Sequence, residues 1–182
     1  MRKPLTRRTN RSGGSFAYTD FGQPGTVASD AREPIMGIRT LRFANGVALN
    51  PKRTDLDKER VLVQLSLDGG DMLNTQAVPL VTEMAGWLPG GGLGKHSQDE
   101  LQSILAGRTV TLNFDSNADS FVSTAQTTPR DLELQLQVLA ALVTDPGYRS
   151  EGQLRYRQAT NNFFAQLRAT PQSALSNAIG GI

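Results

Sequence analysis

The stretch Thr128–Gly147, "TPRDLELQLQVLAALVTDPG", admits two readings, and the choice between them decides the fold. Leu132, Leu134 and Leu136 alternate as they would in a strand. The punctuation says helix instead. Thr128 can cap, Pro129 suits the first helical position, Asp131 falls at the third, and Asp145-Pro146-Gly147 closes the run. Leu132, Leu136, Leu139 and Val143 then form one ridge, with Leu134, Val138 and Leu142 beside it. A helix that broad covers a sheet.

The strands for that sheet lie on its N-terminal side. "IRTLRFA" (38–44) and "VALNPKR" (47–53) flank Asn45-Gly46, the strongest short hairpin signal. "RVLVQLSLDGG" (60–70) puts Val61, Val63, Leu65 and Leu67 on one face of a third strand, and Gly69-Gly70 ends it. From Thr75 to Leu88 the period turns helical, with Val78, Val81, Ala85 and Leu88 on one stripe and Pro79 in the first turn. "SQDELQSILAG" (97–107) reads as a second helix with Ser97 and Glu100 as a capping box and Gly107 as a left-handed stop. "TVTLNFDS" (109–116) and "SFVSTAQT" (120–127) alternate as strands about "NAD". After Thr128–Gly147 another helix runs from about Glu151 to Arg168, and "PQSALSNAIGGI" (171–182) opens one more. Locally joined strands predict a largely antiparallel sheet with helices on one face, a two-layer α+β sandwich. Residues 1–36, rich in Gly, Ser, Thr, Pro and charge, read as linker or connector, and 37–182 as a single α+β domain truncated at its C-terminus.

Composition excludes several function classes. The formal charge of +2 is too small to demand an acidic partner. Arg2, Lys3, Arg7, Arg8 and Arg11 precede the first acid, Asp20, so a basic arm is present, and its reading is a solvated tail with no nucleic acid bound. There is no cysteine, hence no disulfide and no thiolate zinc site. No apolar run approaches the roughly 20 residues of a membrane span. The charged start is followed by no apolar segment, so it is not a secretory signal.

One loop invites chemistry. "PGGGLGKHS" (89–97) holds four glycines, a lysine and the only histidine of the chain. As a Walker phosphate loop it fails, because Pro89 stands where the first Gly belongs and His96 where the magnesium-binding hydroxyl belongs. A dinucleotide fingerprint fails too, with Lys95 in the place of its third glycine. A zinc site would have to join His96 to carboxylates, and the nearest, Asp99 and Glu100, lie on a capped first turn. No GxSxG elbow accompanies His96, which therefore reads as a solvent-exposed loop residue. Glu83 would serve as a general base only if buried in a cleft. The loop is expected to turn a corner, and no residue is assigned to catalysis, cofactor or metal.

Three segments taken in order, "RFANGVALNPKRTD" (42–55), "GGLGKHSQDELQSILAGRTV" (91–110) and "TTPRDLELQLQVLAALVTDPGYR" (127–149), resemble a domain of the pitrilysin/insulinase-type zinc metallopeptidases, which include the mitochondrial processing peptidases. The resemblance covers about Phe16 to Arg168. It implies a long chain of four similar α+β domains, two halves closing on a peptide, with a His-x-x-Glu-His motif on the helix after the third strand of the first domain. In that motif a glutamate activates the zinc-bound water. Registered on Gly92 and Ser97, the motif's slots fall near Glu83, Gly86 and Trp87, where there is no imidazole.

The resemblance thus implies a non-catalytic domain most like the third of four, with "FAYTDFGQPGTVAS" (16–29) as its connector, cut from a longer zinc metalloendopeptidase. This chain would itself be inactive and carry no cofactor, the zinc belonging to the parent enzyme's catalytic domain. Its partners would be the other domains and a peptide substrate. The competing reading is a stand-alone non-catalytic subunit that pairs with an active one. Bacterial relatives of this pattern are often exported, so analogy suggests the periplasm.

Overall fold

The computed structural model describes residues 14–79 and 81–169, together with 175 and 179. The arginine-rich start from Arg2 to Arg11 and the helix expected over 171–182, apart from Leu175 and Ile179, lie outside the described residues. The fold is α+β with antiparallel pairing throughout, as expected, but the strands form two small sheets in place of one. Two compact units result: Tyr18–Arg60, and Val61–Ile182 together with the chain up to Ala17.

In the smaller unit the hairpin at Asn45-Gly46 forms as read, from β2 (Arg39–Phe43) and β3 (Ala48–Leu49), with Leu41 opposite Leu49. Gly46 takes φ of +89°, and the Asn45 side chain accepts from the Val47 N–H at 3.2 Å. The linker reading of residues 1–36 is corrected here, because Val27–Arg32 is a strand, β1, paired antiparallel with β2. Its sequence, VASDAR, has little strand propensity. The turn supplies what propensity lacks. The Glu33 carboxylate accepts from the N–H groups of Ile35 and Met36, and Gly37 takes φ of +68°. A bidentate pair between Arg39 and Asp30, at 2.9 and 2.6 Å, then ties the two strands at the turn. That guanidinium holds the Asp30 carboxyl below its usual range.

In the larger unit β4 (Val61–Asp68) pairs along its whole length with β6 (Ser120–Thr127), Val61 opposite Thr127 and Asp68 opposite Ser120. The alternation read from the sequence holds at Val61, Val63 and Leu65, which are half-buried, while Leu62 and Gln64 face solvent. The strand expected over 109–116 is much shorter: only Asp115–Ser116, β5, pairs with β6. Side chains replace the rest of the ladder. The Gln135 carboxamide accepts from the Thr111 N–H at 2.7 Å and donates to the Thr111 carbonyl at 2.8 Å. The Asn113 carboxamide does the same for Thr124 of β6, at 3.0 and 2.8 Å. Asp131 accepts from the Thr109 N–H at 2.9 Å, and the Thr127 hydroxyl donates to the Thr109 carbonyl at 2.6 Å. Every one of these bonds does for an extended segment what a neighbouring strand would do.

Within Thr128–Gly147 the helix is α2 (Leu132–Thr144), which starts three residues later than the cap expected at Thr128: Asp131 stands at the cap position, and Thr128 Oγ1 accepts from its N–H at 3.3 Å in the turn before it. Its buried face is corrected, however. Leu136 and Val143 stay 49% and 42% exposed, while Gln135, Val138, Leu139 and Leu142 are buried. Gln135 and Asp131 are drawn inward by the Thr109–Thr111 backbone, and this rotates the expected ridge by about one residue, roughly 100°. β6 presents Ser123, Ala125 and Thr127 to the interior. Leu93, Leu101 and Phe114 complete the core.

The helix expected over Thr75–Leu88 starts later and winds tighter, as 3₁₀ turns over Val81–Gly91. Pro79 offers no N–H, and Gly86, Pro89, Gly90 and Gly91 are poor α-formers. Asn74 and Asp71 also draw Thr82 aside: its N–H donates to Asn74 Oδ1 at 3.2 Å and its hydroxyl to Asp71 Oδ1 at 2.8 Å. Of the expected stripe only Ala85 is fully buried, Leu88 is half-buried, and Val78 and Val81 are exposed. Helix α1 (Gln98–Ile104) carries the full capping box, with Gly107 at φ of +76° beyond its end. Helix α3 (Ser150–Ala169) follows α2.

Leu139→Ala is expected to cost about 2–5 kcal/mol, the usual range for a buried leucine. Leu136→Ala should cost well under half as much, and urea unfolding of the two variants side by side checks the order.

Candidate functional site

The glycine loop of residues 89–97 meets the loop that joins α2 to α3. The Gly94 N–H donates to the Asp145 carbonyl at 2.8 Å, and the Gly147 N–H to the Gly92 carbonyl at 3.0 Å. Two breakers far apart in sequence are therefore partners in space. Arg149 locks them together. Its guanidinium donates to the carbonyls of Gly91 (2.9 Å), Leu93 (2.6 Å), His96 (3.1 Å) and Gly94 (2.7 Å). Four carbonyls of one loop thus converge on one cation.

This answers the question the loop raises. A phosphate cradle turns N–H groups inward, whereas here carbonyls point inward, and the polarity suits a guanidinium. Glycine is required where backbones meet. Gly92 has φ of +72°, and a Cβ there would stand 2.5 Å from the His96 carbonyl oxygen. A Cβ on Gly152, in the first turn of α3, would stand 2.6 Å from the Gly91 nitrogen.

His96 is corrected from an exposed to a buried residue, with 8% of its surface accessible. The Ala17 N–H donates to its Nε2 at 2.9 Å, and the Phe16 ring stacks on the imidazole with centroids 5.6 Å apart. Burial holds the imidazole below the usual histidine range, opposed by Glu100 and assisted by Arg149 and Lys95. An Nε2 that accepts a backbone proton cannot also take one from a serine, so no catalytic triad forms on it. Glu100 is held in the capping box, accepting from the Ser97 N–H at 2.8 Å, and this bond and that of the Ser97 hydroxyl lower its carboxyl below the ordinary range.

The three slots of the zinc motif fare no better as ligands. Glu83 and Gly86 are exposed, and Trp87 has a buried indole N–H with no partner. Glu83 is therefore not the buried carboxylate that a general base in a cleft would require. Among the described residues no group of three or more His, Cys, Asp or Glu stands close enough to hold a metal ion. No described helix is long and apolar enough to cross a membrane. A groove of about 460 Å³ lies along the open face of β4 and β6, lined by Leu62, Gln64, Thr111, Thr124 and Gln126 among others. It offers amides and hydroxyls and carries no titratable group. The remaining carboxylates with lowered pKa have structural duties. Asp71 accepts from the hydroxyls of Ser116 and Thr82, and Asp131 from Arg130 and the Thr109 N–H.

The solved structures that share this fold include two proteases. The ferredoxin protease FusC, as a mutant in complex with Arabidopsis ferredoxin, superposes with a TM-score of 0.72 and 14% identity over 98% of this chain. The periplasmic protease PqqL of Escherichia coli gives 0.75 and 15% over 96%. This chain spans 20% and 19% of their lengths, about one fifth. No family model and no curated protein matches the sequence.

Arg149→Ala is expected to cost about 2–4 kcal/mol, through the loss of charge-assisted bonds to four carbonyls. Arg149→Lys should recover less than half of that, because a single ammonium cannot span four carbonyls. Denaturant unfolding of both variants tests this.

Proposed function

We propose that this chain is a non-catalytic domain of a zinc metallopeptidase of the pitrilysin/insulinase type, forming part of the wall around a peptide hydrolysed elsewhere in the protein. The observation that carries this reading is the shared fold with two proteases over almost the whole chain, each about five times its length. The donor inventory agrees with it. A hydrolytic zinc needs three protein ligands drawn from imidazoles, thiolates and carboxylates. The chain has one histidine and no cysteine, and the histidine's Nε2 already serves a backbone amide.

The groove on the open face of β4 and β6 supports the same role. Its uncharged lining can hold an extended main chain by hydrogen bonds, without a group that would attack it. The likeness to FusC, solved with ferredoxin bound, makes a polypeptide the substrate class proposed for the parent protein. The likeness to PqqL makes the periplasm the compartment proposed. The zinc and its activating glutamate would sit in another domain, and neighbouring domains or an active subunit would be the packing partners.

The chain washed with chelator and then offered zinc is expected to hold far less than one equivalent and to cleave no unfolded protein substrate. Equimolar zinc that disappears in His96→Ala would defeat the reading. Proteolysis that stops when the metal is chelated would do so as well.

A further inference from the structure

His96 binds a segment of its own chain through a nitrogen that works only while unprotonated. To accept the Ala17 N–H at 2.9 Å, Nε2 must carry a free lone pair, which places the ring proton on Nδ1. Adding a proton turns that acceptor into a donor facing a donor. It also charges a ring stacked on Phe16 and 8% exposed. Among the described residues, three charged groups act on the ring. Lys95 adjoins it in the glycine loop, Arg149 reaches the His96 carbonyl from the α2–α3 joint at 3.1 Å, and Glu100 faces it from α1. Residues 14–17 add no titratable side chain. Of these described groups, the two cations oppose protonation, and Glu100, which favours it, is already bonded within the capping box.

We propose that His96 is a pH-operated clasp on residues 14–17, closed when the imidazole is neutral and opened by acid. The proposal concerns regulation, and it stands whether or not the chain belongs to a peptidase. The direction follows from linkage. Burial lowers the folded-state pKa of His96, so the unfolded or released state binds more protons in the window between the two values. The clasp is therefore fully closed above the free-histidine value of about 6.5 and weakens as pH falls below it, through the folded-state value.

Because the chain has a single histidine, its imidazole resonances report one titration without overlap. Nuclear magnetic resonance on the whole chain between mildly alkaline and mildly acidic pH reads the ring and the Ala17 amide together. The expected result is a ring midpoint below that of free histidine, with the Ala17 exchange-protection factor falling as the ring takes up its proton. His96→Gln keeps a side-chain oxygen to accept the amide but cannot titrate, so its Ala17 protection should stay flat with pH. A ring that titrates while Ala17 protection stays constant overturns the clasp, as does a His96→Gln protein that loses protection in acid like the parent. If the glutamine variant does not fold, the coincidence or separation of the two wild-type midpoints decides alone.

Discussion

One guanidinium organises the larger unit. Arg149 meets the carbonyls of Gly91, Leu93, Gly94 and His96 at once, in a loop whose central Leu93 is completely buried. The carbonyls of Leu93 and His96 also accept each other's backbone N–H, at 3.0 and 2.8 Å, and the guanidinium adds a charged donor to both. Arginine meets them because its fork offers several donors in one plane, and it stays charged at any physiological pH. The same four bonds fix where α3 begins, since Arg149 immediately precedes Ser150, and they hold His96 with its ring toward Phe16. The glycines of the loop serve this approach of backbone to backbone, and a larger residue at Gly92 or Gly152 would push the two loops apart.

A second constraint of the same kind shapes the sheet. The segment 109–114 lies beside β6 but is not laddered to it. The carboxamides of Gln135 and Asn113 pair with backbone N–H and carbonyl groups as a peptide unit would. The arrangement commits α2 to a particular rotation. Asp131 and Gln135, one turn apart, must face the extended segment, so Val138, Leu139 and Leu142 face the core and Leu136 is turned half into water. Hydrophobic periodicity alone places the stripe one residue further on. Two buried polar side chains with fully matched partners outweigh it.

What the sequence discloses and what it conceals divide along a physical line. Signals whose partners lie within a few residues read correctly: the Asn45-Gly46 turn, the Ser97–Glu100 capping box, and the alternation of Val61, Val63 and Leu65. Features that depend on distant partners do not. β1 has the composition of a linker and becomes a strand because Glu33 and Gly37 fold the chain back and Arg39 meets Asp30. Arg149 is an ordinary helix-start arginine until its acceptors, more than fifty residues away, are known. The burial of His96 was illegible for the same reason, because Phe16 and Ala17 precede it by about eighty positions. The lone histidine among glycines was the available clue.

The distribution of perturbed carboxylates bears on function. Catalytic sites gather groups of shifted pKa in one cleft, where burial and like charge are arranged to poise them for proton transfer. Here they are dispersed and each is lowered by a donor that holds structure. Asp30 serves a hairpin, Asp71 links a 3₁₀ turn to β5 through Ser116, Glu100 caps α1, and Asp131 joins the 109–111 segment to the start of α2. A carboxylate so held is a poor base, since its lone pairs are occupied and its proton affinity is reduced. The groove along β4 and β6 contains none of these groups and no other charge.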